Sequence, residues 1–226
     1  MLVKNWMSKK VITIDAKSSM QEAINRMKEH QVRMLPVLKD GVLVGVISDT
    51  DLKRASASDA TTLDIHELVY LLSRLSIEKI MTKNPLTVPP DFTVEEAVEV
   101  FMKNRISGAP VVDAQGKVVG IITRHDIFKL IITLTGLSKG GINFAFQVDD
   151  RPGSIKELTD ILRSYGGRLD SILTSYEDAP AGFRHVYIRV SALKREELPR
   201  LLAELQAQAK VLYWVDHREN KREIFD

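Results

Sequence analysis

The 226-residue chain contains no cysteine. That excludes disulfides, thiolate nucleophiles and thiolate metal sites, and it makes a reducing compartment, the cytoplasm, the expected location. Charge of one sign is lacking too. Lys plus Arg number 32 against 30 Asp plus Glu, a net of +2. So even a balance gives no basis for expecting nucleic acid or an anionic membrane as partner. No apolar run is long enough to cross a bilayer: the greasiest stretch, Ile127 to Leu137, is short and carries Lys129. Met1-Leu2-Val3-Lys4-Asn5-Trp6 lacks the apolar centre of a signal peptide. The five histidines are scattered without the spacing of metal ligands. A Gly-rich phosphate loop, a nucleophile elbow and a His-Glu zinc helix are all missing. Glu95-Glu96 and Glu196-Glu197 are adjacent carboxylates at helix starts, where they suit the dipole and need no acid–base role. A catalytic set is therefore not expected, and neither is a metal.

What the chain does have is repetition. A shift of 74 positions aligns Met7 with Met81, Ser19 with Thr93, Glu22-Ala23 with Glu96-Ala97, and Pro36-Val37 with Pro110-Val111. After one inserted residue the shift is 75, and Gly45 meets Gly120 while Asp51 meets Asp126. Each copy reads as a short strand (around 11–14 and 86–88), then a helix opened by Ser19-x-x-Glu22 or Thr93-x-x-Glu96, both of capping-box form. Two strands around a glycine turn follow (35–38 with 42–47, and 109–112 with 118–122), and a helix begins at Ser48 or Thr123. The order is β-α-β-β-α. Neither copy, at roughly 50 residues, buries much core alone, so the two are expected to pack as a pair. Between them, Leu68, Leu71, Leu72 and Leu75 share one side of an expected linker helix over 63–75.

From Gly140 the grammar changes. Residues 142–148 alternate apolar and polar, and Asp149-Asp150-Arg151-Pro152-Gly153 is a turn signature. Ser154 is placed to cap a helix ended by Gly166-Gly167. Strands at 168–176 and 183–190, a helix over 194–208 and a strand at 211–215 complete β-α-β-β-α-β, the ferredoxin-like order. The expected class is α/β (α+β). Its parts are repeat 1 at 1–55, a linker at 56–76, repeat 2 at 77–136, a third domain at 140–217 and a charged tail at 218–226 that is expected to fray.

The duplicated half resembles a tandem pair of CBS domains, through Gly45-Val46-Ile47-Ser48-Asp49-Thr50-Asp51, Gly120-Ile121-Ile122-Thr123-Arg124-His125-Asp126, the Leu35-Pro36-Val37 and Ala109-Pro110-Val111 strands, and the turns at Met7 and Met81. The last third is similar to an ACT domain through Asp150-Arg151-Pro152-Gly153. The order of the two resembles the acetoin-utilisation B protein family. The resemblance implies a non-catalytic regulatory protein that binds an adenine nucleotide (AMP, ADP, ATP or S-adenosylmethionine). It also implies a homodimer that relays binding to a target protein. The alternative is a ligand-free scaffold associated with an enzyme of acetoin or other metabolism.

By that resemblance Asp51 and Asp126 accept hydrogen bonds from a ribose diol, and Ser48 and Thr123 sit one helical turn earlier on the same face. Ile12-Thr13, Leu86-Thr87, Arg33-Met34-Leu35-Pro36 and Ser107-Gly108-Ala109-Pro110 would frame the adenine. Lys53, Arg54, Arg124, His125 and Lys129 stand near for phosphates, each beside a helix N-terminus. The same Ser-x-x-Asp pattern is also a helix cap that needs no ligand. Of the two clefts, the one with Thr123 and Asp126 is expected to bind better, because Asp49 would repel phosphate in the first. In the third domain Asp149, Asp150, Pro152, Gly153 and Ser154 open a helix whose N–H groups would hold an amino-acid carboxylate.

Overall fold

A computed structural model of the protein describes residues 1–59 and 74–225. Contacts divide it into two compact units, Met1–Phe128 and Lys129–Asp226. The boundary falls inside a helix, not in the 137–139 connection that the sequence suggests.

The first unit begins with α1 (Val3–Trp6), β1 (Ile14–Asp15), α2 (Met20–His30), β2 (Met34–Lys39), β3 (Val42–Ser48) and α3 (Asp49–Asp59). The second copy repeats it as α4 (Ile77–Ile80), β4 (Thr82–Lys83), α5 (Val94–Asn104), β5 (Gly108–Val112), β6 (Val118–Thr123) and α6 (Arg124–Leu134). The strand expected over 11–14 shrinks to β1, paired in parallel with β2 at Val37 and Leu38. Its counterpart over 86–88 is reduced to one parallel bridge, Val88 to Val111. Thr93 and Glu96 form the full reciprocal capping box. At Ser19 only half forms: the hydroxyl accepts from the Glu22 N–H, but the Glu22 carboxylate turns to Arg26 at 2.7 Å. The linker helix over 63–75 lies outside the described residues except for Arg74 and Leu75; Leu75 packs against the first repeat's core of Ile14, Met20, Leu35, Val37, Ile47 and Ile77.

The two copies exchange their lead-in segments. β4, which introduces the second copy, pairs antiparallel with β3 of the first, at Gly45 with Lys83 and Val46 with Thr82. Reciprocally, Ser8 bridges Ile121 of β6, with N–H···O distances of 2.9 and 3.1 Å. The repeated glycines explain the closeness. A Cβ at Gly45 would fall on the Met81 sulfur and 3.0 Å from the Thr82 carbonyl, and one at Gly120 would fall on the Met7 sulfur. Glycine and methionine thus recur together because one strand must lie flat on the other.

The second unit contains β7 (Ile142–Asp149), α7 (Ser154–Ser164), β8 (Arg168–Ser175), β9 (Phe183–Ser191), α8 (Leu198–Gln208), β10 (Lys210–Asp216) and β11 (Lys221–Ile224). Its antiparallel sheet runs β11-β10-β7-β9-β8. The core joins Phe144, Phe146 and Ile188 of the sheet to Leu158, Leu162 and Leu205 of the helices. Two expectations fail here. Ser154 does not cap α7: Gly153, at φ 92°, holds the cap position, and the Ser154 hydroxyl donates to the Arg151 carbonyl at 3.1 Å. A φ of 92° at the cap position is readily adopted only by glycine, which puts Gly153 there and Ser154 inside the helix. Nor does the charged tail fray. β11 pairs with β10, the Trp214 indole donates to Glu223 at 3.0 Å, and Phe225 packs on the core. An edge strand keeps its charged side chains in water while its backbone pairs, so polarity alone does not forbid it.

Candidate functional site

Each repeat turns from its third strand into its last helix at a hydroxyl-x-x-aspartate step. Asp51 Oδ2 accepts from the Ser48 N–H at 2.9 Å and the Ser48 hydroxyl at 2.5 Å. Asp126 Oδ2 accepts from the Thr123 N–H at 2.8 Å and the Thr123 hydroxyl at 2.7 Å. Both rings cap a helix, and both use one carboxylate oxygen. Among the described residues Oδ1 of each aspartate accepts no hydrogen bond.

A cavity of about 800 Å³ adjoins the first turn. From the first repeat it takes Met34, Ser48, Thr50, Asp51 and Arg54. The second repeat contributes Pro85 and Leu86 from its lead-in, and Ser107, Gly108 and Pro110 around the start of β5. Val98 and Phe101 of α5 and Phe128 of α6 add apolar surface, and Arg105 and Arg124 add charge. A concave, mostly apolar cavity with a few polar groups at fixed places is the usual form of a small-molecule site.

This composition corrects the expectation of one cleft per copy. The exchanged lead-ins bring Leu86 of the second copy to Asp51 of the first. The reciprocal contact is the bridge of Ser8 to Ile121. Arg124 lines the cavity of the first turn, while Asp49, expected to repel phosphate there, is outside the lining and pairs with Lys53 at 3.4 Å.

Other candidates lie elsewhere. Leu35 and Ala109 are fully buried core residues, and Pro36 is buried between its strand neighbours. Ile12 packs on the first repeat's core, and the Thr13 carbonyl accepts from Arg26 at 2.7 Å. Arg33 and Thr87 are exposed outside the cavity, and the Arg33 carbonyl is taken by the Asp49 N–H at 3.0 Å. His125 is exposed beside the second turn. Arg105, which sequence reasoning passed over, does line the cavity. It follows α5 as its left-handed cap at φ 54°, and Gln31 holds the same geometry after α2. The 74-residue shift relates the two positions, but the repeat alignment does not show which of them lines a cavity.

The loop of the second unit is different. Asp149 and Ser154 border a pocket of about 130 Å³ together with Arg151 and Glu157, while Asp150, Pro152 and Gly153 do not line it. Arg151 binds Glu157 through two nitrogens, at 2.9 and 2.7 Å. That hydrogen bond holds the Glu157 carboxyl below the usual carboxylate range and raises the guanidinium in turn. Asp150 accepts from the Tyr176 hydroxyl at 3.3 Å and lies 3.6 Å from Arg184.

The sequence model of the CBS domain matches residues 3–58 and 77–133. The chain belongs to the CBS-domain family. It is 32% identical over 132 residues to a CBS domain-containing protein of Dictyostelium discoideum, a match that covers 58% of this chain and 91% of that one. It is 36% identical over 130 residues to the L-aspartate semialdehyde sulfurtransferase of Methanocaldococcus jannaschii, covering 57% of this chain but only 23% of the enzyme. Among solved structures, the CBS domain pair of protein MJ0100, in complex with 5′-methylthioadenosine and S-adenosyl-L-methionine, is similar at a TM-score of 0.50 and 35% identity. That match covers 58% of this chain and 99% of the other. Among the described residues no helix is long and apolar enough to cross a membrane.

Proposed function

We propose that the protein is a non-catalytic regulator whose CBS pair binds an adenine nucleotide in the cavity beside Ser48 and Asp51. The observation that carries this reading is the meeting, in one 800 Å³ cavity, of an aspartate with a free carboxylate oxygen and an apolar slot drawn from the other repeat. The adenosine ligands of the MJ0100 pair support the ligand class. Asp51 takes the ribose diol, Leu86 and Pro110 flank the base, and Ser48 and Arg54 face the phosphate side. Binding ties both repeats together, and that change in packing is the signal passed to a target protein. Calorimetric titration of the full chain with AMP, ADP, ATP and S-adenosylmethionine tests this. Saturable binding lost in Asp51→Ala supports it, and an unchanged titration in that variant sinks it.

The second unit is proposed to be an ACT-like domain, as in the acetoin-utilisation B proteins, assembling a homodimer in the cytoplasm. Its strand order, with β7 between β10 and β9 and β8 beyond, supports a split β-α-β arrangement. An amino-acid carboxylate at Asp149–Ser154 is part of this proposal, tested by titration with amino acids. A second reading, a ligand-free scaffold for a metabolic enzyme, is favoured by the fact that both aspartates already serve as helix caps. Stable capture of a partner without any nucleotide response would support it.

A further inference from the structure

The helix α6 is fixed at both ends. It runs from Arg124 to Leu134, about 16 Å at the rise of an α-helix. At its start Asp126 caps it through Thr123. Ile127 and Phe128 line the cavity beside Asp51, and Phe128 is 61% exposed, so a ligand there would cover it. The far end closes on Gly136, whose φ of 65° suits the left-handed residue after a helix. No backbone N–H among the described residues donates to the Thr135 carbonyl, as is usual just past a last helical turn. It accepts instead from Arg189 Nε at 2.6 Å and from the Ser171 hydroxyl at 3.1 Å. Ser171 of β8 and Arg189 of β9 are cross-strand partners, so one carbonyl is held from two strands at once. The fit is close: a Cβ on Gly136 would stand 3.3 Å from Arg189 Cδ and 3.4 Å from Asp170 Cβ.

Arg189 is a demanding residue to place there. It is 5% exposed and has no ion pair among the described residues. Its hydrogen bonds go to the Thr135 carbonyl and, through Nη1 at 3.4 Å, to the Gly140 carbonyl. Burial lowers its pKa, against the opposing pull of the Asp170 carboxylate. A buried guanidinium is tolerated while its hydrogen bonds are made and is strongly unfavourable once they are lost. Residues 135–140 are therefore either docked on the strands or released, with little between.

Resting on the adenine-nucleotide reading, we infer that Arg189 is a positioning residue for α6: with Ser171 it docks the end of the helix on β8 and β9, and this docking is coupled to ligand binding at Ile127 and Phe128. The coupling runs through one continuous helix. A helix already fixed at its end presents Phe128 to a ligand with less loss of freedom. By linkage, a ligand that favours the docked helix is itself favoured by docking, by the same factor. The second unit thus receives the state of the cavity at residues 135–140.

The experiment is calorimetric titration of the full chain with AMP, ATP and S-adenosylmethionine, joined to hydrogen exchange at residues 135–140 with and without the compound that binds best. The variants are Arg189→Met, which removes the buried charge, Arg189→Lys, which keeps the charge without the planar fork, and Ser171→Ala, which removes one hydrogen bond from the same carbonyl. Thermal melts establish which variants are folded. In the parent chain the ligand is expected to slow exchange at 135–140. Its affinity is expected to fall about fivefold in Arg189→Met and about twofold in Ser171→Ala, with Arg189→Lys between them. Neither residue lines the cavity, so a merely structural Arg189 would lower the melting temperature and leave the affinity alone. The coupling is overturned if Arg189→Met binds as well as the parent or better, or if the ligand leaves exchange at 135–140 unaltered; the nucleotide reading then stands, because the ligand still binds. Should Arg189→Met fail to fold, parent-like affinity in both Arg189→Lys and Ser171→Ala overturns it. If none of the three compounds binds the parent chain, the nucleotide reading fails and the coupling falls with it.

Discussion

The strand-to-helix junctions at Ser48–Asp51 and Asp149–Ser154 have a similar outline and a different state. At Ser48–Asp51 the carboxylate uses one oxygen to cap its helix, the arginines around it are unpaired among the described residues, and a large cavity adjoins. At Asp149–Ser154 the charges have already satisfied one another: Arg151 is locked to Glu157, and Asp150 sits between Tyr176 and Arg184. The pocket there is about one-sixth as large, 130 Å³ against 800 Å³. A helix N-terminus is available at both. What separates them is whether the local charges have partners of their own, since a neutralised loop has less to offer an anion than a cavity of unpaired guanidiniums.

That contrast can be broken or sharpened by experiment. The largest effect is expected from Asp51→Ala, which removes the ribose acceptor: nucleotide affinity should fall roughly a hundredfold by calorimetry. Asp126→Ala should leave binding in this cavity nearly intact; equal losses in both variants would erase the distinction between the two turns. Gly45→Val comes next. Its added methyls meet Met81 and the Thr82 backbone, so the chain should lose about 1–3 kcal/mol in urea unfolding. A neutral result would deny that the exchanged lead-in is tightly packed.

A smaller, pH-dependent effect is expected at Asp216, where burial works to raise the carboxyl. Hydrogen bonds from Arg195 and from the Arg218 and Glu219 N–H groups outweigh burial and hold it below its ordinary value. With the folded value depressed, the unfolded state takes up protons first as pH drops. The stabilisation is therefore complete above the ordinary carboxylate range and lost as pH falls through it to the lowered folded value. Asp216→Asn should flatten that part of an acid-unfolding curve followed by circular dichroism, and an unchanged slope would count against the ion pair. The smallest effect is expected from Arg151→Gln. The Arg151–Glu157 pair is exposed, so melting temperature should barely move. A large drop would mean that the loop is held by more than this surface contact.

Much of the fold was legible because it repeats. The 74- and 75-residue shifts, the Ser19 and Thr93 starts and the Gly45 and Gly120 positions all follow from local chemistry written twice. The exchanged lead-ins were not legible. Met7 and Met81 read as repeated turns, but nothing local says that each lies on the other copy's glycine. Arg105 was missed for the same reason, as one more polar residue after a helix. Ser154 failed as a cap because the preceding Gly153 accepts the positive φ that the turn requires. The tail was misjudged because β11 is stabilised by long-range pairing that its own charged residues do not announce.

The sequence by itself determined that two equivalent β-α-β-β-α units exist, that each ends in a hydroxyl-x-x-aspartate helix cap, and that thiol chemistry is absent. These are properties of neighbouring residues and of period. Only the tertiary structure decided which residues share a cavity. Strand pairing between β3 and β4 joins segments that are distant along the chain, so the cavity beside Asp51 is lined by Leu86, Arg105 and Arg124 of the other repeat as well as by residues of its own.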